Sequence, residues 1–102
     1  VQVARKKELA NQKKHYSRVA DLGCILCKRL GYEGSLCEIH HIRRAGRRAD
    51  APVIGLCYEH HRGNTGVHGM GRKAFERHYQ TTEEELLAWT TELLNDSYTT
   101  QS

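Results

Sequence analysis

The strongest constraint on this chain is a crowd of metal-binding side chains between residues 37 and 68. The stretch opens with Cys37-Glu38-Ile39-His40-His41-Ile42 and continues through an arginine-rich segment. It closes with Val53-Ile54-Gly55-Leu56-Cys57-Tyr58-Glu59-His60-His61-Arg62-Gly63-Asn64-Thr65-Gly66-Val67-His68. Five of the seven histidines and two of the four cysteines fall here, and Cys24-Ile25-Leu26-Cys27 lies just upstream. A chain of 102 residues makes one domain with a limited core. Only 38% of the residues are hydrophobic, with one Phe and one Trp, so a disulfide or a metal is needed to supplement that core.

Spacing decides between the two. Four cysteines permit two disulfides in a secreted protein, but the chain has no signal-peptide pattern and no apolar run long enough to cross a membrane. Cys24-x-x-Cys27 brings two sulfurs to one side of a tight knuckle, and Cys57-x-x-His60 offers a second pair. Together they predict a tetrahedral Cys3His zinc site of Cys24, Cys27, Cys57 and His60, whose binding energy is folding energy. Cys37 is left over. It reads as a buried small apolar residue, with replacement of one of the four ligands as the alternative. Zinc rather than disulfides implies a reducing, cytoplasmic setting.

Charge is distributed unevenly. Residues 1–80 carry all 16 Lys and Arg against seven Asp and Glu, a balance of +9, whereas residues 81–102 carry five acids and no base. A basic body suits a polyanion, most simply nucleic acid. Leu9, Tyr16 and Val19-Ala20 predict a basic helix over 3–22 that stops before Gly23. Residues 24–35 hold the cysteine knuckle and a glycine turn. Leu36, Cys37, Ile39 and Ile42 predict a half-buried strand over 36–42, and a second strand follows at 53–56. Between them, Arg43, Arg44, Arg47 and Arg48 form a loop suited to bidentate phosphate contacts. A short helical turn follows Cys57, and Gly63, Gly66 and Gly69 then interrupt regular structure. Helix resumes near Gly71 with Phe75 and Tyr79 inward. The last helix, about 83–95, carries Thr82 and Glu85 at capping-box spacing and a stripe of Leu86, Leu87, Trp89, Leu93 and Leu94. The tail, 96–102, reads as polar and frayed. The chain begins at Val1 rather than Met, as a fragment or a processed protein would.

His15 and His78 lie on amphipathic helices and read as surface or packing residues. His40, His41, His61 and His68 remain. Strand alternation places His40 and His41 on opposite faces, so neighbours can do different work. One neutral ring can bind a divalent metal while the other takes a proton from water, which is the division of labour that phosphodiester hydrolysis requires.

The run Cys-x-x-Cys … Glu-Ile-His-His-Ile … Val-Ile-Gly-Leu-Cys-x-x-His-His resembles the HNH branch of the His-Me-finger nucleases over about residues 23–80. More narrowly, His-His-Ile-Arg, Leu-Cys-x-x-His-His-Arg-Gly and Gly-Val-His-Gly-x-Gly-Arg-Lys-x-Phe-Glu resemble the phage-encoded RecA-dependent nuclease family. The resemblance implies an α+β fold: a zinc-stapled ββα-metal core at 23–95, preceded by the basic helix at 1–22 and followed by the tail. It implies DNA as substrate, products with 5′-phosphate and 3′-hydroxyl ends, Mg2+ or Mn2+ for catalysis, structural Zn2+, and cleavage directed by a RecA filament. By position, His41 matches the general base, and His40 and His61 match metal ligands. His68 completes the metal site, with Asn64 as the alternative. The motif's middle Asn has no counterpart; the aligned position falls near Pro52, with Asp50 the nearest polar residue. Arg62, Arg72 and Lys73 join the four loop arginines as expected DNA contacts.

Two other functions are open: a zinc module that binds nucleic acid without cutting it, and an interaction protein using the Trp89 helix. An HNH enzyme independent of RecA is a third variant. A His-His pair on a strand favours the nuclease, because a pure zinc module has no use for it.

Overall fold

The computed structural model describes residues 2–32, 35–44 and 51–101, and describes no side chain before 10 or after 96. Arg47, Arg48 and Asp50 lie outside the described residues, as does the side chain of Leu9.

A long helix, α1 (Gln2–Leu22), ends where expected. Gly23 follows with φ +80° and its N–H reaches the Ala20 carbonyl at 3.0 Å, the left-handed stop that a glycine tolerates best. The cysteine knuckle is a short helix, α2 (Ile25–Arg29), with Cys24 at its N-cap and Ile25 and Leu26 buried. Next comes a two-stranded antiparallel hairpin, β1 (Glu38–His41) with β2 (Val53–Leu56), in the register Glu38↔Leu56, Ile39↔Gly55, His40↔Ile54 and His41↔Val53. The first strand is shorter than expected. Leu36 stands outside it and is 92% exposed, and Cys37 is only half-buried. β2 is buried throughout, as a strand with helices on both sides must be.

The hairpin separates two cores. On one face His41 and Val53 look toward α1, where Val19, Val53 and Leu94 are buried together with Tyr16, Leu22 and Ile39 against them. On the other face Ile54 and Leu56 join Ile25, Leu26, Val67, Phe75 and Leu86. The pairing of His40 with Ile54 puts His40 on that second face.

Four helices complete the chain: α3 (Tyr58–His61), α4 (Val67–Met70), α5 (Arg72–Tyr79) and α6 (Glu83–Gln101). α4 was not expected, because Gly66 and Gly69 read as interruptions. Gly66 is instead its N-cap, and Gly69 lies inside it, so close to the preceding turn that a Cβ would sit 1.9 Å from the Gly63 carbonyl. The glycine is there for close approach, not for a break. α6 starts as expected, with Glu85 N–H donating to Thr82 Oγ1 at 3.0 Å. It does not stop at 95. The backbone stays helical to Gln101, since no Gly or Pro in that stretch opposes it. Its stripe serves the protein's own core: Leu86 and Leu94 are buried, and Leu87, Trp89 and Leu93 pack alongside. No described helix is long and apolar enough to cross a membrane.

Candidate metal centres

Two groups of donors emerge. Cys24, Cys27, Cys57 and His60 converge with all ligand atoms within 4.8 Å of one another. α2 supplies the first pair and α3 the second, with Cys57 at the N-cap of α3. Cys27 and Cys57 sulfurs are 3.8 Å apart, and His60 Nδ1 lies 3.6, 3.6 and 3.3 Å from the sulfurs of Cys24, Cys27 and Cys57. A tetrahedral zinc with ordinary bond lengths requires about 3.8 Å between sulfurs and about 3.5 Å between sulfur and nitrogen. These four separations match that geometry, and the remaining donor pairs lie within 4.8 Å. The knuckle is held by the Cys27 N–H, which donates to Cys24 Sγ at 3.4 Å.

Burial without a counter-charge is costly for these groups. It pushes the Cys24 thiol up to about 12. Burial also lowers the His60 pKa, against an opposing pull from Glu59, which keeps the ring neutral and ready to ligate. All four cysteines are free of disulfides, and Cys37 is not in the cluster; its sulfur points to the Ala20 carbonyl at 3.5 Å.

The second group is His40, His61 and His68. Their ring centroids form a nearly equilateral triangle, 5.1, 5.2 and 4.8 Å on a side. β1 supplies His40, α3 supplies His61 and the unexpected α4 supplies His68. Two of the rings are braced by carboxylates. His61 Nδ1–H donates to Glu38 Oε1 at 2.8 Å, which leaves Nε2 for a ligand. His40 Nε2 meets the Glu83 carboxylate, which as an acceptor requires the proton on Nε2 and leaves Nδ1. Burial depresses the His68 pKa, and the neighbouring His40 and His61 rings depress it further. Three imidazoles facing one point suit a divalent ion, though Mg2+, which prefers oxygen, less than Mn2+ or a later transition metal. Asn64, the alternative third ligand, lies exposed in the turn before α4.

His41 sits on the opposite face of β1. Its Nε2 is 3.4 Å from the Tyr16 hydroxyl, the rings meet edge to face at 5.7 Å, and Gln12 donates to the same hydroxyl at 3.1 Å. In the sequence Tyr16 serves only as one of the residues whose spacing marks the first helix.

Glu83 is the other residue that sequence reasoning missed. It is 2% exposed, and it accepts from His40 and from Arg44 Nη1 at 2.8 Å. Burial alone raises a carboxyl pKa, but these two hydrogen bonds outweigh it and hold Glu83 below the ordinary range. In sequence it is the first of three glutamates opening a helix, a pattern that reads as complement to the helix dipole; nothing there marks which one turns inward.

Several of the expected DNA contacts also pair with acids. Arg44 also pairs with Glu84 and lies 4.0 Å from Glu76. Arg62 grips Glu38 with Nε at 3.0 Å and stacks over Tyr58 at 5.2 Å. Arg72 pairs with Glu76 at 3.2 Å. Arg43 and Lys73 are exposed.

The protein is thus a small α+β chain with two groups of side chains that could each hold a metal ion, one rich in sulfur and one made of imidazoles alone. Residues 8–95 match the family model for recombination enhancement, RecA-dependent nuclease, and the chain belongs to that family. No curated protein and no solved structure matches it significantly.

Proposed function

We infer that the protein is a metal-dependent DNA endonuclease of the HNH (His-Me finger) kind, directed by a RecA filament in recombination or repair. The observation that carries this reading is the imidazole triad. It stands at the junction of a β-hairpin and the helix that follows, complete without any donor of the Cys3His set. The order β1, β2, α3 is the order of a ββα-metal core, and the family description supplies the nuclease and the RecA dependence.

In this reading Cys24, Cys27, Cys57 and His60 hold structural Zn2+. His40, His61 and His68 hold the catalytic divalent ion, Mn2+ or Mg2+. When bound, that ion supplies positive charge to the scissile phosphate and to the leaving 3′-oxygen. His41 takes the proton from the attacking water, a role suited to a group that titrates near neutrality. Tyr16 fixes the His41 ring through Nε2, a function for which the motif's middle Asn has no counterpart here, and Asp50 is the other polar residue proposed near that role. Arg43, Arg47, Arg48 and Lys73 grip the DNA backbone. Arg44, Arg62 and Arg72 join them, although Arg44 and Arg62 also hold Glu83 and Glu38, the carboxylates on His40 and His61, and Arg72 pairs with Glu76.

The test is cleavage of single-stranded, duplex and RecA-coated DNA by the purified protein and by His41→Ala, with Mn2+ and with Mg2+. The expected result is cutting only where RecA is present. The variant should lose about 10²–10⁴-fold in rate, the range of a general base, while zinc content, folding and DNA binding stay near the parent's. Parent-rate cleavage by His41→Ala removes His41 from the base role, and cutting of free DNA alone selects an enzyme independent of RecA.

A further inference from the structure

We propose that Glu83, held by Arg44, is the positioning residue that sets the orientation and tautomer of His40, so that the final helix controls the geometry of the imidazole triad. The inference rests on the triad being a metal centre, but it concerns this chain's own residues. His40 and Glu83 are both buried, 4% and 2% exposed, and their contact brings β1 and the first turn of α6 together across 43 residues of chain.

A buried carboxylate stays where it is only if its charge and lone pairs are satisfied. Glu83 meets this in full. Oε2 accepts from His40 Nε2, and Oε1 accepts from Arg44 Nη1 at 2.8 Å. Its own backbone N–H donates to Glu76 Oε2 at 2.9 Å. Arg44 is itself steered by Glu84, with Glu76 4.0 Å away. The network fixes one rotamer of His40, with the proton on Nε2 and Nδ1 unprotonated for a ligand. The partner ring His61 is treated in the opposite sense, with Glu38 on Nδ1. Carboxylates that brace ligating histidines in this way raise the basicity of the ring and cost about 10–100-fold in metal affinity when removed. Arg44, which in the sequence reads as one of four phosphate-gripping arginines, becomes the latch of an internal network.

The experiment has two arms. In the first, Mn2+ binding to the zinc-loaded protein is followed by calorimetry for the parent, Glu83→Gln and His61→Ala. Glu83→Gln keeps size and shape but removes the charge. It should weaken Mn2+ binding about 10–100-fold, with unchanged zinc content and circular dichroism. A folded Glu83→Gln that binds Mn2+ as the parent does overturns the proposal. If the parent binds Mn2+ no better than His61→Ala does, the metal reading of the triad fails, and the second arm alone decides the role of Glu83. That arm uses the parent protein, so it does not depend on whether any variant folds. Imidazole 15N spectra, with His40 assigned, should show its Nε2 protonated and Nδ1 unprotonated. The opposite tautomer overturns the proposal.

Discussion

The two centres share a four-residue helix and little else. In α3, His60 turns toward the cysteines and His61 toward the histidines, because adjacent residues on a helix point about 100° apart. Around His60 the donors are three sulfurs and one nitrogen, buried or half-buried, with no carboxylate braced against the ring in the described contacts. Around His61 the donors are three imidazoles, two of them hydrogen-bonded to Glu38 and Glu83. The first set has four ligands for a tetrahedral ion and is closed. The second has three, and in the proposed reading an ion held there would keep coordination positions for water or substrate, as catalytic sites do and structural sites do not. One short helix thus carries a donor of each group, and the proposed division between stability and chemistry can be broken at either half separately.

The largest effect falls on the closed centre. Structural zinc in small domains is worth about 10–16 kcal/mol, as much as or more than the whole stability of a typical domain, about 5–15 kcal/mol. Cys27→Ala leaves one buried sulfur, one half-buried sulfur and a nitrogen facing a poorly held ion, and the expected outcome is loss of fold. Circular dichroism and elemental analysis check it: the parent carries one tightly held zinc per chain, whereas the variant carries none and has no cooperative melt. A variant that melts like the parent removes the distinction between the two centres.

The open centre should respond in the other way. His68→Ala is expected to keep zinc and fold while lowering Mn2+ affinity by at least tenfold and cleavage by about two orders of magnitude. Asn64→Ala should leave both near the parent's. The reverse pattern would transfer the third-ligand role to Asn64 and make α4 a packing element only.

Both centres were legible in sequence to different depths. Cys24, Cys27, Cys57 and His60 follow from local spacing, since three-residue separations within a knuckle or a helical turn fix which donors meet. His40 and His61 followed from resemblance, and their meeting with His68 depends on α4, which glycine punctuation concealed. Gly69 looked like a breaker because sequence shows its missing side chain and not the Gly63 carbonyl that fills the space. Glu83 and Tyr16 were illegible for a related reason. Their partners His40 and His41 lie 43 and 25 positions away, and only the alternation of β1 sends one ring to each. The two strands and the start of α6 were readable from periodicity and a cap, although β1 begins two residues later than expected, whereas the end of α6 was not, because polar residues without Gly or Pro carry no stop.

The smallest expected effect lies on the turn that delivers His68 to its neighbours. Glu59 accepts from the backbone N–H of Thr65 at 3.1 Å and from its hydroxyl at 2.6 Å, and Tyr79 donates to the Thr65 carbonyl at 2.9 Å. The two Thr65 hydrogen bonds hold the Glu59 carboxyl below its ordinary value of 4.5. A carboxyl depressed in the folded state adds stability above its unfolded pKa, and that stability is lost as pH falls through the folded value. Glu59→Gln should therefore lower the melting temperature slightly at pH 7, and the gap to the parent should close below about pH 4.5, the range in which the parent's own carboxylate becomes protonated. Melting parent and variant side by side at each pH cancels any zinc release common to both. Mn2+ affinity should follow the same order, falling less for Glu59→Gln than for His68→Ala, because the turn loses one charge-assisted tie while the ligand remains. A gap that persists unchanged into acid would show that Glu59 supports the turn by shape alone and that α4 is held by Tyr79 and by the close seat of Gly69.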